Sequence, residues 1–85
     1  MKLKPTFVTY VVGGKNILVS ADSSFSGIGY SNKTAAQIIE ALKQDRTEDE
    51  IVDILLDRFE VTREEAAKDV QKIIEQLRGI GALDE

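Results

Sequence analysis

The sequence predicts a small α+β fold in which a three-stranded antiparallel sheet precedes three helices. β-branched and aromatic residues dominate the first 30 residues, whereas apolar residues recur at helical spacing from residue 35 onward. The chain has only 85 residues, which is enough for one small domain. We therefore assign residues 1–85 to a single domain.

The first two strands are predicted from two apolar runs that flank a glycine pair. Thr6–Val12 and Asn16–Ser20 lie on either side of Gly13-Gly14, and this pattern is typical of a β-hairpin. A polar connection then leads to a third short strand at Phe25–Tyr30. Together the three runs predict a meander.

The first helix is predicted from apolar residues at i, i+3, i+4 and i+7, with Ser31 or Asn32 as its cap. These apolar residues are Ala35, Ile38, Ile39 and Leu42. The sequence TEDE (Thr47–Glu50) has the pattern of a capping box and opens the second helix.

The third helix opens at a second capping-box pattern, TREE (Thr62–Glu65), and covers about residues 63–78. Gly79 and Gly81 are expected to end it. Its apolar stripe has two polar borders, one with Asp69, Lys72 and Gln76 and the other with Gln71 and Arg78.

The composition argues against catalysis and against a metal or cofactor site. The chain contains no histidine and no cysteine, so the usual imidazole bases, thiol nucleophiles and zinc ligands are missing. The N-terminal apolar run is short and ends at Gly13-Gly14, so we predict neither a signal peptide nor a membrane span. We expect a cytoplasmic protein with no cofactor.

A hairpin with three helices is similar to a winged helix-turn-helix, and many such domains bind DNA. The charges oppose this function here. The segment that would act as the recognition helix, Thr62–Arg78, carries four basic and four acidic residues, and the net charge of the chain is −4. We therefore keep a winged-helix DNA-binding regulator only as an alternative to the function that the third strand suggests.

The third strand raises a different possibility, because Gly27 and Gly29 would share one of its faces, while Ile28 and Tyr30 would share the other. Glycine packs nothing in a strand and often marks a close approach of another backbone. The strand is therefore a candidate for pairing with an incoming peptide, although the glycines could also serve a turn.

Several short motifs follow one another after this strand. They are an Asn-x-Thr-Ala helix start, a Thr-x-x-Glu-Ile helix start, an aromatic-x-Val linker, an Asp-Val helix with later apolar positions, and a Gly-apolar-Leu tail. The matching residues are Asn32, Thr34, Ala35, Thr47, Glu50, Ile51, Phe59, Glu60, Val61, Asp69, Val70, Ile73, Ile74, Leu77, Gly81, Ala82 and Leu83. In this order and spacing they resemble the PqqD-like proteins, also called RiPP recognition elements, where RiPP denotes a ribosomally made and modified peptide.

The resemblance implies a non-catalytic protein that binds the leader segment of a precursor peptide as an added strand, in a cleft beside the last helix. It also implies a partner enzyme that modifies the peptide, often a radical SAM enzyme. The expected peptide-binding residues are Phe25, Gly27, Ile28, Gly29, Tyr30, Asp69, Lys72, Ile73 and Gln76.

Two further expectations follow from strand addition. Replacing Ile28 with proline should remove an amide that pairs with the leader. An exposed edge strand can also pair with a second copy, so we expect a monomer or a weak homodimer.

Overall fold

The computed structural model describes residues 1–20, 28–30 and 33–85. Its elements, in chain order, are β1 (Lys2–Leu3), β2 (Phe7–Val12), β3 (Lys15–Ser20), β4 (Ile28–Tyr30), α1 (Lys33–Ala41), α2 (Glu48–Arg58), α3 (Arg63–Gly79) and β5 (Leu83–Asp84). The predicted α+β class with antiparallel strands and three helices is confirmed for these residues. The predicted strand residues Phe25 and Gly27 and the predicted caps Ser31 and Asn32 lie outside them.

The hairpin and the third strand form an antiparallel sheet with the order β2-β3-β4. Val12 pairs with Lys15, so the loop between β2 and β3 has two residues. Its residues Gly13 and Gly14 have φ angles of 58° and 80°. Positive φ at both positions is the mark of a type I′ turn, which glycine adopts without steric cost.

A second, two-stranded sheet joins the two ends of the chain, and the sequence pattern did not predict it. β1 pairs with β5 in antiparallel register. Beside it, the N–H of Leu3 donates to the carbonyl of Leu42 at 2.8 Å, and the N–H of Lys4 donates to the carbonyl of Ala82 at 2.9 Å. The N-terminal segment is thus held between the end of α1 and the C-terminal tail.

Both predicted capping residues start helices. At α2 the hydroxyl of Thr47 accepts from the N–H of Glu50 at 3.2 Å, and the Glu50 carboxylate accepts from the N–H of Thr47 at 2.9 Å. This is a complete capping box. At α3 the hydroxyl of Thr62 accepts from the N–H of Glu65 at 3.1 Å, which is the hydroxyl half of the box.

α3 ends in a Schellman motif built on Gly81. The N–H of Gly81 donates to the carbonyl of Arg78 at 3.0 Å, and the N–H of Ala82 donates to the carbonyl of Leu77 at 2.8 Å. Gly81 has a φ of 71°, whereas Gly79 is the last residue of the helix itself. The two glycines therefore have different roles, whereas the sequence pattern predicts that both end the helix.

Among the described residues, the core joins Leu18 of the three-stranded sheet, the inner faces of the three helices, and Leu3, Ala82 and Leu83 near the two ends of the chain. The largest fully buried side chains of the described residues are Leu18, Ile38, Leu42, Ile51, Leu55, Val70 and Ile74. Each helix alone would leave its apolar face in water, so this cluster is the main source of stability. Among the described residues no helix is long and apolar enough to cross a membrane.

Replacing each of the two C-terminal glycines with alanine should change stability in opposite directions. Gly81→Ala should lower the free energy of unfolding by about 1 kcal/mol, because alanine is strained at positive φ. Gly79→Ala should raise it by about 0.5–1 kcal/mol, because this position is helical and no heavy atom lies near the added methyl group. Urea denaturation measures both changes, and equal effects would contradict the assignment of the motif.

Candidate functional site

β4 is an edge strand of the three-stranded sheet. It pairs with β3 on one side, through Asn16 with Tyr30, Ile17 with Gly29 and Leu18 with Ile28. No strand of the described residues pairs with its other side. An edge of this kind leaves every second N–H and C=O group free to bond another strand.

The turn of the hairpin determines which backbone groups face that edge. In a two-residue hairpin the closing pair, here Val12 and Lys15, exchanges backbone hydrogen bonds. Successive residues of a strand then alternate in direction, so Lys15 and Ile17 bond to β2, whereas Asn16 and Leu18 bond to β4. The N–H of Phe7 donates away from β3, to the carbonyl of Lys4, as the same alternation requires.

Gly29 is consequently the residue of β4 that offers its backbone to a partner. Asn16 with Tyr30 and Leu18 with Ile28 are the hydrogen-bonded pairs, so the N–H and C=O of Gly29 point away from β3. The same alternation changes the effect that we expect of proline at Ile28. Its N–H bonds to β3, and proline at Ile28 would break the sheet rather than a contact to an added strand.

The lysine that closes the hairpin covers Gly29. A Cβ atom placed on Gly29 would lie 2.5 Å from Cε and 3.0 Å from Nζ of Lys15. The absence of a side chain at Gly29 therefore leaves room for the lysine to cross the strand. Lys15 forms no ion pair with any described residue. The sequence pattern did not identify Lys15. This lysine lies on the neighbouring strand β3, and it is close to Gly29 only because Gly29 pairs with Ile17, two residues away from Lys15.

The predicted residues of α3 lie on one flank of the helix. Asp69 and Ile73 are half-buried, and Ile73 packs against the core, whereas Gln76 and Lys72 are exposed. Ile80, just after the helix, is also half-buried and packs against the same core. This flank therefore combines an apolar floor with polar side chains.

The opposite border of α3 carries Arg78, which forms an ion pair with Glu85. Two hydrogen bonds from Arg78 to the carboxylate of Glu85, at 2.9 and 2.6 Å, raise the pKa of Arg78, and the charge of Glu48 at the start of α2 raises it further. Arg78 therefore already has a carboxylate partner, although its side chain is half-exposed. On the flank of α3 with Asp69, Ile73 and Gln76, Asp69 forms no ion pair with a described residue.

The structure places the predicted residues in two groups, one on β4 and one on α3. Two grooves found among the described residues lie elsewhere. The first has a volume of about 370 Å³ and is bounded by the hairpin residues Thr9 and Asn16, by one side of α1 and by Phe59. The second lies between α1 and α2. Within the described ranges no group of acidic residues is arranged to hold a metal ion.

The family comparison matches the part of the chain that starts at β4. Residues 28–83, about two thirds of the chain, match the family model described as Coenzyme PQQ synthesis protein D (PqqD). The match starts at Ile28, after the hairpin, and ends in β5. The hairpin therefore lies outside the matched residues. No curated protein sequence matches the chain.

Two solved structures share the fold over nearly the whole length. TbiB1, in complex with the TbiA(beta) leader peptide, has 19% sequence identity and a TM-score of 0.81, with coverage of 99% of this chain and 95% of TbiB1. Lasso peptide synthetase B1, complexed with the leader peptide, has 24% identity and a TM-score of 0.72, with coverage of 95% and 93%. These likenesses show the fold and include the hairpin.

The direction of the Gly29 backbone can be tested on the protein alone. The amide proton of Gly29 should exchange with solvent at least about tenfold faster than those of Ile28 and Leu18, which bond within the sheet. Hydrogen exchange followed by NMR measures all three. Equal protection of Gly29 and Ile28 would contradict the alternation derived from the turn.

Proposed function

The chain belongs to the PqqD family of RiPP recognition elements, and on this premise we propose that it binds the leader of a precursor peptide by β-strand addition to β4. Like the members of this family, it acts as a non-catalytic partner. The observation that carries the proposal is the edge of β4 that no described strand covers, where Gly29 offers both of its backbone groups.

In the proposed complex the leader runs along β4 as a fourth strand of the sheet. Its backbone bonds the N–H and C=O of Gly29, and further bonds in such a strand pair recur at every second residue. Main-chain bonds of this kind supply affinity with little dependence on sequence. Phe25, Ile28 and Tyr30 belong to the same proposed strand.

Specificity is proposed to come from side chains of the leader that reach the flank of α3. Ile73 gives this flank an apolar floor, while Asp69 and Gln76 can hydrogen-bond polar groups. Lys72 is exposed further round the helix and forms no ion pair with a described residue. It would contribute where the leader carries an acidic residue.

Lys15 adds a second preference for acidic residues. A leader residue beside Gly29 would project on the face of the sheet that Lys15 crosses, at a Cα separation of roughly 5 Å. The lysine has no carboxylate partner among the described residues, so an Asp or Glu at that leader position would supply one. An exposed pair of this kind contributes about 0.2–1 kcal/mol.

The remaining parts of the proposal rest on the family. The bound precursor is presented to a modifying enzyme, which we take to be a radical SAM enzyme, and the complex forms in the cytoplasm. Residues 1–85 act as one peptide-binding domain with a winged-helix-like arrangement. The comparisons lend no support to DNA binding, and α3 with its equal numbers of acids and bases does not favour it.

Replacing Gly29 tests the proposal directly. Gly29→Pro removes the N–H that faces the edge and leaves the bonds between β3 and β4 in place, so leader affinity should fall about tenfold or more. Gly29→Ala is the matched control, because it keeps the N–H and displaces only the flexible end of Lys15. The probe is a synthetic peptide with the leader sequence of the precursor encoded beside the gene, and the measurement is calorimetric titration.

Equal affinities for the two variants, with circular dichroism showing both folded, would contradict strand addition at Gly29. Failure of the wild-type protein to bind the leader at millimolar concentration would contradict the proposed function itself.

The choice between the two borders of α3 can be tested with two glutamines. The chain has no tryptophan, and Gln76 and Gln71 are both exposed, one on each border. In Gln76→Trp the fluorescence emission of the introduced tryptophan should shift to shorter wavelength when the leader binds, because the indole ring loses contact with water. In Gln71→Trp the emission should stay constant, and the reverse pattern would assign the leader to the other border.

A further inference from the structure

The three-stranded sheet has a second edge, formed by β2, and its composition is unusual for an exposed strand. The large apolar side chains that are exposed among the described residues all lie here: Tyr10 is 57% exposed, Val11 72% and Val12 60%. Residues 7–12 include neither a charge nor a proline. Charges, prolines, bulges and short length are the features that normally keep an edge strand from pairing.

The β2 edge is also regular. All six residues of β2 pair with β3 in unbroken register, so the strand has no bulge. The alternation fixed by the turn directs Val8, Tyr10 and Val12 toward β3. The N–H and C=O groups of Thr9 and Val11 therefore face outward, which gives four backbone groups for a partner.

We propose that a second copy of this chain covers this edge, with the two β2 strands antiparallel about a two-fold axis at Tyr10. Thr9 of each copy then lies opposite Val11 of the other, and these two pairs use all four outward backbone groups. The two Tyr10 residues lie side by side, and Val8 of each copy lies opposite Val12 of the other.

A second copy is the occupant favoured by the sequence of the strand itself. A two-fold contact must be complementary to its own surface, and β2 meets this condition because no charged residue in it would face a like charge. The same axis places each exposed apolar side chain of β2 beside an apolar or neutral one. The contact extends along a single strand pair, so we expect a weak, concentration-dependent dimer.

The dimer is compatible with leader binding and does not depend on it. The strand order becomes β4-β3-β2-β2-β3-β4, a continuous six-stranded sheet. Both β4 edges lie at its ends, where each remains free for one leader peptide.

Single cysteines test the proposed axis, because the chain has no cysteine of its own. In Tyr10→Cys the two thiols lie on the axis, at a Cα separation of about 4.5–5.5 Å that a disulfide can span. Val12→Cys lies on the same face of the same strand, but position 12 of one copy lies opposite position 8 of the other. The two introduced cysteines are therefore offset by four residues, roughly 13 Å along the strands. Under mild oxidation we expect Tyr10→Cys to form a covalent dimer at least about tenfold faster than Val12→Cys.

A second variant tests the backbone pairing without a cross-link. Val11→Pro removes an outward N–H and leaves the bonds between β2 and β3 intact. The association constant of the dimer, measured by sedimentation equilibrium, should therefore fall at least about tenfold. Val11→Thr, which keeps the N–H and the branched side chain, should retain dimerisation within about threefold. Leader affinity should be unchanged in both variants.

Two results would overturn the proposal. One is a wild-type protein that sediments as a monomer at millimolar concentration. The other is a dimer that persists in Val11→Pro while Tyr10→Cys and Val12→Cys cross-link at the same rate, which would show that the copies meet elsewhere.

Discussion

The Gly13-Gly14 turn determines the hydrogen-bonding direction of every strand in the main sheet. Its two positive φ angles allow a two-residue loop, and that loop makes Val12 and Lys15 the closing pair. Along each strand from this pair, the N–H and C=O groups of successive residues alternate in direction. This alternation determines which groups point outward at Gly29 on one edge and along β2 on the other. A loop longer by one residue would change which backbone groups each edge presents.

The two edges are suited to different partners. At β4, a strand of three residues with glycine in the middle leaves backbone groups free beneath the cationic side chain of Lys15. At β2, six uncharged residues present apolar side chains and no cation. In our proposals, one edge therefore pairs with a peptide strand that carries an acidic side chain, and the other pairs with an uncharged strand. The helices contribute most of the core and, in the proposed complex, α3 adds a flank that contacts side chains of the leader.

Much of the fold could be predicted from the sequence, because its signals are local. The glycine pair gave the hairpin, Thr47 and Thr62 gave two helix starts, and apolar spacing gave the core faces. The pairing of β1 with β5 could not be predicted, since two-residue strands have no periodicity. Of the site, β4 and the flank of α3 were predicted as elements. The outward direction of Gly29 and the approach of Lys15 depend on register, which a sequence does not specify.

The most direct test of the account is a measurement of the hydrogen bond between Gly29 and a bound leader. The protein would carry ¹⁵N, the synthetic leader would carry ¹³C at its carbonyl groups, and an NMR experiment would detect scalar coupling across the hydrogen bond. Strand addition at β4 predicts coupling from the N–H of Gly29 to one leader carbonyl. Saturating leader with no coupling at Gly29, and chemical-shift changes confined to another surface, would contradict it.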